Sequence, residues 1–154
     1  MLDDLDVRLL TALQKNAQLT AHQLGEILHL SSSQAGRRRQ RLETEGYITG
    51  YRALLSPGKI GLNVEAFIQV TSASHAPDIA ASFVAHMDTI TEITNVWTLT
   101  GEADFLLRIF CADLKALNAL VHQRLLPHRA VARVRSQIVM DKTKADAPLP
   151  VAPA

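Results

Sequence analysis

The sequence predicts an α+β chain, with an N-terminal (winged) helix-turn-helix domain followed by a ferredoxin-like βαββαβ domain. Three observations carry this. Thr20 with Gln23 and Ser31 with Gln34 form two capping boxes that open two short, closely spaced helical stretches. After Gly46 the apolar period changes from helical to alternating. Beyond residue 62 a strand-helix-strand pattern occurs twice.

The first helix is expected over Leu5 to Ala17, with Leu5, Leu9, Leu10 and Leu13 at helical spacing. Asp3, Asp4 and Asp6 stand at its start, where the helix dipole favours anions. The second begins at Thr20 with an apolar face of Leu24, Ile27 and Leu28, and breaks at His29-Leu30-Ser31. The third runs from Ser31 or Ser32 to Glu45, and Gly46 is a natural left-handed stop. Tyr47 to Leu55 is β-prone and reads as a strand or small wing. Ser56-Pro57-Gly58 is a turn, which puts the domain boundary near residues 56–61.

In the second half, Asn63 to Thr71 alternates, with Val64, Ala66, Ile68 and Val70 on one face. Pro77 to Met87 is helical, with Ile79, Phe83 and Met87 in register. Glu92 to Leu99 alternates again, with Ile93, Asn95, Trp97 and Leu99 on one side, and Trp97 is expected in the core. Thr100 to Asp104 is a turn and Phe105 to Cys111 a strand. Leu114, Leu117, Leu120, Val121 and Leu125 mark a helix that Pro127 ends, and Ala132 to Met140 is the last strand. The expected domains are thus residues 1–60 and 61–144, with a proline-containing disordered tail over 145–154.

The chain has 154 residues, 16 Lys and Arg against 15 Asp and Glu, and a net charge of +1. A uniformly basic coat for nucleic acid is therefore excluded, whereas a locally basic reader is not. One cysteine, Cys111, excludes an intramolecular disulfide and a multi-thiolate zinc site, and its apolar neighbours predict a buried thiol. Six scattered histidines (22, 29, 75, 86, 122 and 128) show no metal spacing. No phosphate-binding glycine loop or nucleophile elbow is present, and no cofactor is expected. No apolar run is long enough to span a bilayer, and the acidic N-terminus lacks the features of a signal peptide, so a cytoplasmic location is expected.

The charge is concentrated. Ser31 to Leu42 holds Arg37, Arg38, Arg39 and Arg41 and no acid. Guanidinium forks match phosphate oxygens and the guanine edge, and the second helix of a helix-turn-helix presents its N-terminal residues to the major groove. Ser32, Ser33, Gln34, Arg37, Arg38 and Arg41 are the candidate contacts to double-stranded DNA, with Arg37 and Arg41 sharing a face. The bland alternative is a solvated basic helix paired with Glu43 and Glu45. Arg39, between Ala35 and Leu42, points instead to packing. Gly36 suits close approach either to DNA or to the neighbouring helix.

A second candidate is the turn at Gly101, Glu102 and Asp104, walled by Thr98. Its carboxylates suit an ammonium group and its backbone amides a carboxylate, as a free amino acid requires. The alternative is a hairpin turn with solvated acids.

These residues resemble the leucine-responsive and asparagine-responsive (Lrp/AsnC) transcription regulators. The resemblance rests on Leu5-Asp6, Leu30-Ser31, Arg37-Arg38, Arg41-Leu42-Glu43, Gly46-Tyr47-Ile48 and Gly50-Tyr51, then on Thr100 to Leu107. It covers Leu2 to Lys144. It implies a sequence-specific DNA-binding regulator that binds a small amino acid or related metabolite. It also implies a homodimer formed through the sheet and assembled further into tetramers, octamers or larger discs. Three residues depart from the family pattern: Arg39 replaces a branched apolar residue, Glu102 an Asp, and Val134 a Thr, which leaves Ser136 as the nearest hydroxyl for the effector. Two rival readings share this architecture: a tetrapyrrole decarboxylase of the haem pathway, and a ligand-binding assembly module that does not bind DNA.

Overall fold

A computed structural model describes residues 1–74, 76–144 and 146–153. His75 and the first and last residues of the tail, named in the sequence reading, lie outside the described residues. The chain divides into two compact units, Met1–Leu54 together with the tail from Thr143, and Leu55–Lys142.

In the first unit α1 spans Asp4–Lys15, α2 Ala21–Leu28 and α3 Ser32–Thr44. All three open with a complete capping box, on Asp3, Thr20 and Ser31. Leu9, Leu10, Leu13, Leu24, Leu28, Ala35 and Leu42 form their common core. The α2–α3 turn is set by His29 in the left-handed region, and the Leu30 N–H bonds the Gly25 carbonyl at 2.9 Å. A Cβ on Gly25 would lie 2.6 Å from the Leu30 carbonyl oxygen, so only glycine fits there. A Cβ on Gly36 would meet Ala21 at an ordinary 3.6 Å, so helix packing does not require that glycine.

The expected wing is not a strand. Residues 47–56 are irregular, and among the described residues no strand pairs with them to complete a ladder. Side chains hold the segment instead: Arg39 stacks 4.8 Å over the Tyr51 ring, and the Tyr51 hydroxyl donates to Glu43 Oε1 at 2.7 Å.

The second unit starts at Leu55 and opens with a short 3-10 turn at Pro57–Ile60. Strand β1 is Val64–Ser72, α4 Pro77–Asp88, β2 Ile93–Thr98, β3 Phe105–Cys111, α5 Leu114–Leu120 and β4 Val131–Ile138. The antiparallel sheet has the order β2-β3-β1-β4, the ferredoxin-like arrangement expected. One sheet face, with Ala66, Ile68, Val70, Phe105, Leu107 and Ile109, packs on Phe83, Met87, Leu117 and Leu120 of the two helices. Helix α5 continues into a π-turn at Val121–Leu125, and Leu125 is fully buried while Leu114 at the first turn is exposed.

A bulge in β2 overturns the expected common face of that strand. Ile93 pairs with the core residue Ile109, whereas Trp97 pairs with Leu106 on the opposite face. Trp97 is therefore 41% exposed rather than in the core. The face away from the helices carries Trp97, half-buried Phe67, Leu106 and Phe110, and Arg108, Arg133 and Arg135.

The tail, expected to be disordered, is seated on the first unit. Gln14 grips the Leu149 backbone twice, donating to its carbonyl at 3.1 Å and accepting its N–H at 2.6 Å, and Val151 packs on the apolar cluster. Ending the chain at Pro148 is expected to destabilise the first unit by about 1–2 kcal/mol, the worth of two exposed hydrogen bonds and a partly buried side chain. Hydrogen exchange should then speed up in α1 while β1 and β3 keep their protection.

Candidate functional site

The α3 helix presents Ser32, Ser33 and Arg37 to solvent. Gln34 is also exposed, but its Oε1 accepts from the Ser31 backbone N–H at 3.0 Å, so the cap takes its carbonyl and leaves its amide donors. Arg37, Arg38 and Arg41 line one open hollow of about 410 Å³ with Leu30 and Gln34.

The three arginines are not equivalent. Arg38 and Arg41, three apart, converge on α1, whereas Arg37, on the same hollow, is exposed. Arg38 Nη1 donates at 2.7 Å to Asp6 Oδ1 and at 2.7 Å to Asp3 Oδ2. Arg41 Nη2 closes on Asp6 Oδ2. The same oxygen takes the Asp3 backbone N–H at 3.1 Å, and Asp3 Oδ1 takes the Asp6 N–H at 2.8 Å. Asp6 is 0% exposed. A carboxylate so buried is tolerable only when paired and hydrogen-bonded, as here. The Asp3 carboxyl is held below its ordinary range by the Asp6 N–H and then by Arg38. Arg38 is held charged, chiefly by Asp3.

Arg39 serves packing, as the sequence suggests. Its Nε donates to Glu43 at 2.9 Å and its Nη1 to the Leu19 carbonyl at 3.1 Å. The Tyr51 hydroxyl and then Arg39 hold the Glu43 carboxyl low.

Sequence reasoning assigned the early acids to the helix dipole and missed the role of Asp6. The signal was present: Asp6 lies on the same helical stripe as Leu9, Leu10 and Leu13, where an acid demands a buried partner.

In the second unit Thr98, Gly101, Glu102 and Asp104 come together at one turn after β2. Gly101 has φ +114°, a left-handed value that favours glycine. Glu102 extends into solvent. Asp104 is tied to the end of β1: its N–H donates to the Val70 carbonyl at 2.9 Å, and its Oδ2 accepts the Ser72 N–H at 2.7 Å. The Thr71 hydroxyl adds a bond to the Glu102 carbonyl at 3.3 Å. Ser136 is not at this turn within one chain. It pairs with Ile68, four residues and roughly 13 Å of strand from Ser72. Val134, nearer the turn opposite Val70, packs on the core.

Cys111 is buried, and burial raises its thiol pKa, followed by Glu92 and Asp113. His86 stacks on His128 at 5.1 Å, and burial lowers the His128 pKa, followed by His86 and Arg129. Among the described residues no group of three or more His, Cys, Asp or Glu side chains is arranged to hold a metal, and no helix is long and apolar enough to cross a membrane.

A helix-turn-helix carrying exposed polar residues on its second helix, joined to a ferredoxin-like domain, defines a DNA-binding regulator with a separate sensing or assembly domain. Comparison with known proteins places it further. Residues 2–43 match the AsnC-type helix-turn-helix domain and residues 65–149 the Lrp/AsnC ligand binding domain. The chain belongs to the Lrp/AsnC family of transcriptional regulators. It is 31% identical to the DNA-binding transcriptional activator DecR of Escherichia coli, over 98% of this chain and 99% of that one. It is 32% identical to the leucine-responsive regulatory protein of Salmonella typhimurium, over 93% and 87%. The structure resembles a Neisseria meningitidis transcriptional regulator in complex with L-Met, with TM-score 0.93, 37% identity and 97% of each chain covered. These relatives are named as regulators, not enzymes, and the decarboxylase reading is set aside on that ground.

Replacing Asp6 with Ala strands two arginines and opens the cap. The expected loss is about 2–3 kcal/mol, below the roughly 3–5 for a fully buried pair because both arginines reach solvent. Chemical denaturation followed by circular dichroism measures it.

Acid should weaken the same unit. Asp3 and Glu43 have folded pKa values below their ordinary 3.8 and 4.5. Their stabilisation is complete above those ordinary values and is lost as pH falls through the depressed folded ones. Hydrogen-exchange protection in α1 and α3, taken relative to the intrinsic rate at each pH, should therefore fall below about pH 4, and Asp3→Asn should flatten the dependence.

Proposed function

We propose that this chain is a cytoplasmic, sequence-specific transcription regulator in which residues 1–60 read DNA and residues 61–144 bind a small amino acid and assemble the protein. The observation that carries it is the outward placement of Ser32, Ser33 and Arg37 on a capped α3 helix. In the major groove these residues and the Gln34 amide meet base edges and phosphates, while Arg38 and Arg41 contribute the donors they do not spend on Asp6.

The effector site is the turn of Thr98, Gly101, Glu102 and Asp104. Glu102 faces the ammonium group, and Asp104 keeps the turn in shape through its bonds to β1. The relative bound to L-Met supports an amino acid as the ligand class. Ser136 contributes only if a second copy brings it to the turn. The open sheet face supports a homodimer, because Trp97, Phe67, Leu106 and Phe110 leave apolar area that a second sheet covers. Tetramers or octamers of that dimer follow the family pattern.

The test is a gel shift on DNA upstream of the protein's own gene, with and without a panel of amino acids. Arg37→Ala should weaken binding, lower the salt slope by ~0.9 and leave the oligomer mass unchanged. Asp104→Ala should keep DNA affinity but lose the calorimetric signal of the amino acid. Equal binding by Arg37→Ala across a salt titration would remove α3 from the interface.

A further inference from the structure

Three of the four α3 arginines are engaged by acids, and the two acids that meet Arg38 differ in depth. The Asp6 side chain is 1% exposed and the Asp3 side chain 52%. Both accept from the same Arg38 Nη1. The inner acid is fixed by burial, by Arg41 and by the Asp3 N–H. The outer acid keeps its cap bond to the Asp6 N–H through Oδ1, while only Oδ2 reaches Arg38. Asp3 can therefore release Arg38 without uncapping α1. A DNA phosphate offers the anionic oxygens a guanidinium prefers, so one anion can take the place of the other.

We propose that Asp3 is an intramolecular counter-anion that occupies Arg38 until a DNA phosphate displaces it, while Asp6 positions Arg38 and Arg41 throughout. The inference rests on the reading of α3 as the DNA-contacting helix. Its consequence is a built-in brake on non-specific binding. In the free protein Arg38 is already neutralised, so a random duplex gains little from it. A duplex held in register by the other α3 contacts makes the exchange.

Asp3→Asn isolates this role, because Asn is as good an N-cap as Asp but carries no charge. The measurement is duplex binding by fluorescence anisotropy across a salt series, with the upstream DNA and a random duplex of equal length. The expected result is tighter binding of both by about 2–5-fold at low salt, and a slope of log affinity against log salt that is steeper by up to ~0.9, since Arg38 then keeps only the buried Asp6 carboxylate that it shares with Arg41. A residue serving only as a cap or a strut gives unchanged or weaker binding, and either result overturns the proposal. Arg37→Ala is measured alongside. If it loses affinity while Asp3→Asn has no effect, the counter-anion role fails and the α3 reading stands. If Arg37→Ala also binds as before, the α3 reading fails and the inference with it.

Discussion

The first unit is organised around one buried carboxylate. Apolar contacts among Leu9, Leu13, Leu24, Leu28 and Leu42 supply most of its cohesion, but such contacts are non-directional. The Asp6 carboxylate is directional. It receives Arg38 on one oxygen and Arg41 on the other, which fixes the rotation of α3 about its own axis. With those two arginines turned toward α1 and Ala35 and Leu42 turned into the core, Ser32, Ser33 and Arg37 are left outside. The face that α3 turns to solvent is in this sense decided by an acid on another helix.

The second unit uses a carboxylate in a comparable way, on backbone rather than on arginine. Asp104 accepts the Ser72 N–H and so joins the turn after β2 to the end of β1. Glu102, in the same turn, is exposed to solvent. The β2 bulge does related work. By turning Trp97 away from Ile93, it adds an aromatic ring to the open face and leaves the helix-covered face aliphatic around Phe83 and Phe105.

The features legible in the sequence are those that depend on local pattern. Capping boxes at Thr20 and Ser31, apolar periods in the helices and alternation in β1 are set by neighbours a few residues away. Features set by distant partners were harder to read. Tyr47 to Leu55 has strand composition, but a strand requires a second one beside it, and Tyr51 finds Arg39 and Glu43 instead. Alternation in β2 could not show a bulge that depends on register with β3. The arginines of α3 were legible as a cluster. Their division into one outward and two inward groups required the position of Asp6, 32 and 35 residues away. Among the effector candidates, Thr98, Gly101, Glu102 and Asp104 are contiguous enough to be placed together, whereas Ser136 depends on the β1–β4 register and falls elsewhere.

Composition alone does not say where the tail sits. Pro148, Pro150 and Pro153 with small residues cannot build a core, and composition is silent on whether a core elsewhere has a seat for them. The grip here asks almost nothing of the tail sequence. Gln14 bonds the backbone of Leu149, which any residue other than proline supplies, and Val151 adds one partly buried side chain. Proline on either side of Leu149 restricts the chain toward an extended form, which lowers the entropy lost on docking. The chain therefore leaves the first unit after Leu54 and rejoins it from Thr143, so two stretches of backbone connect the units.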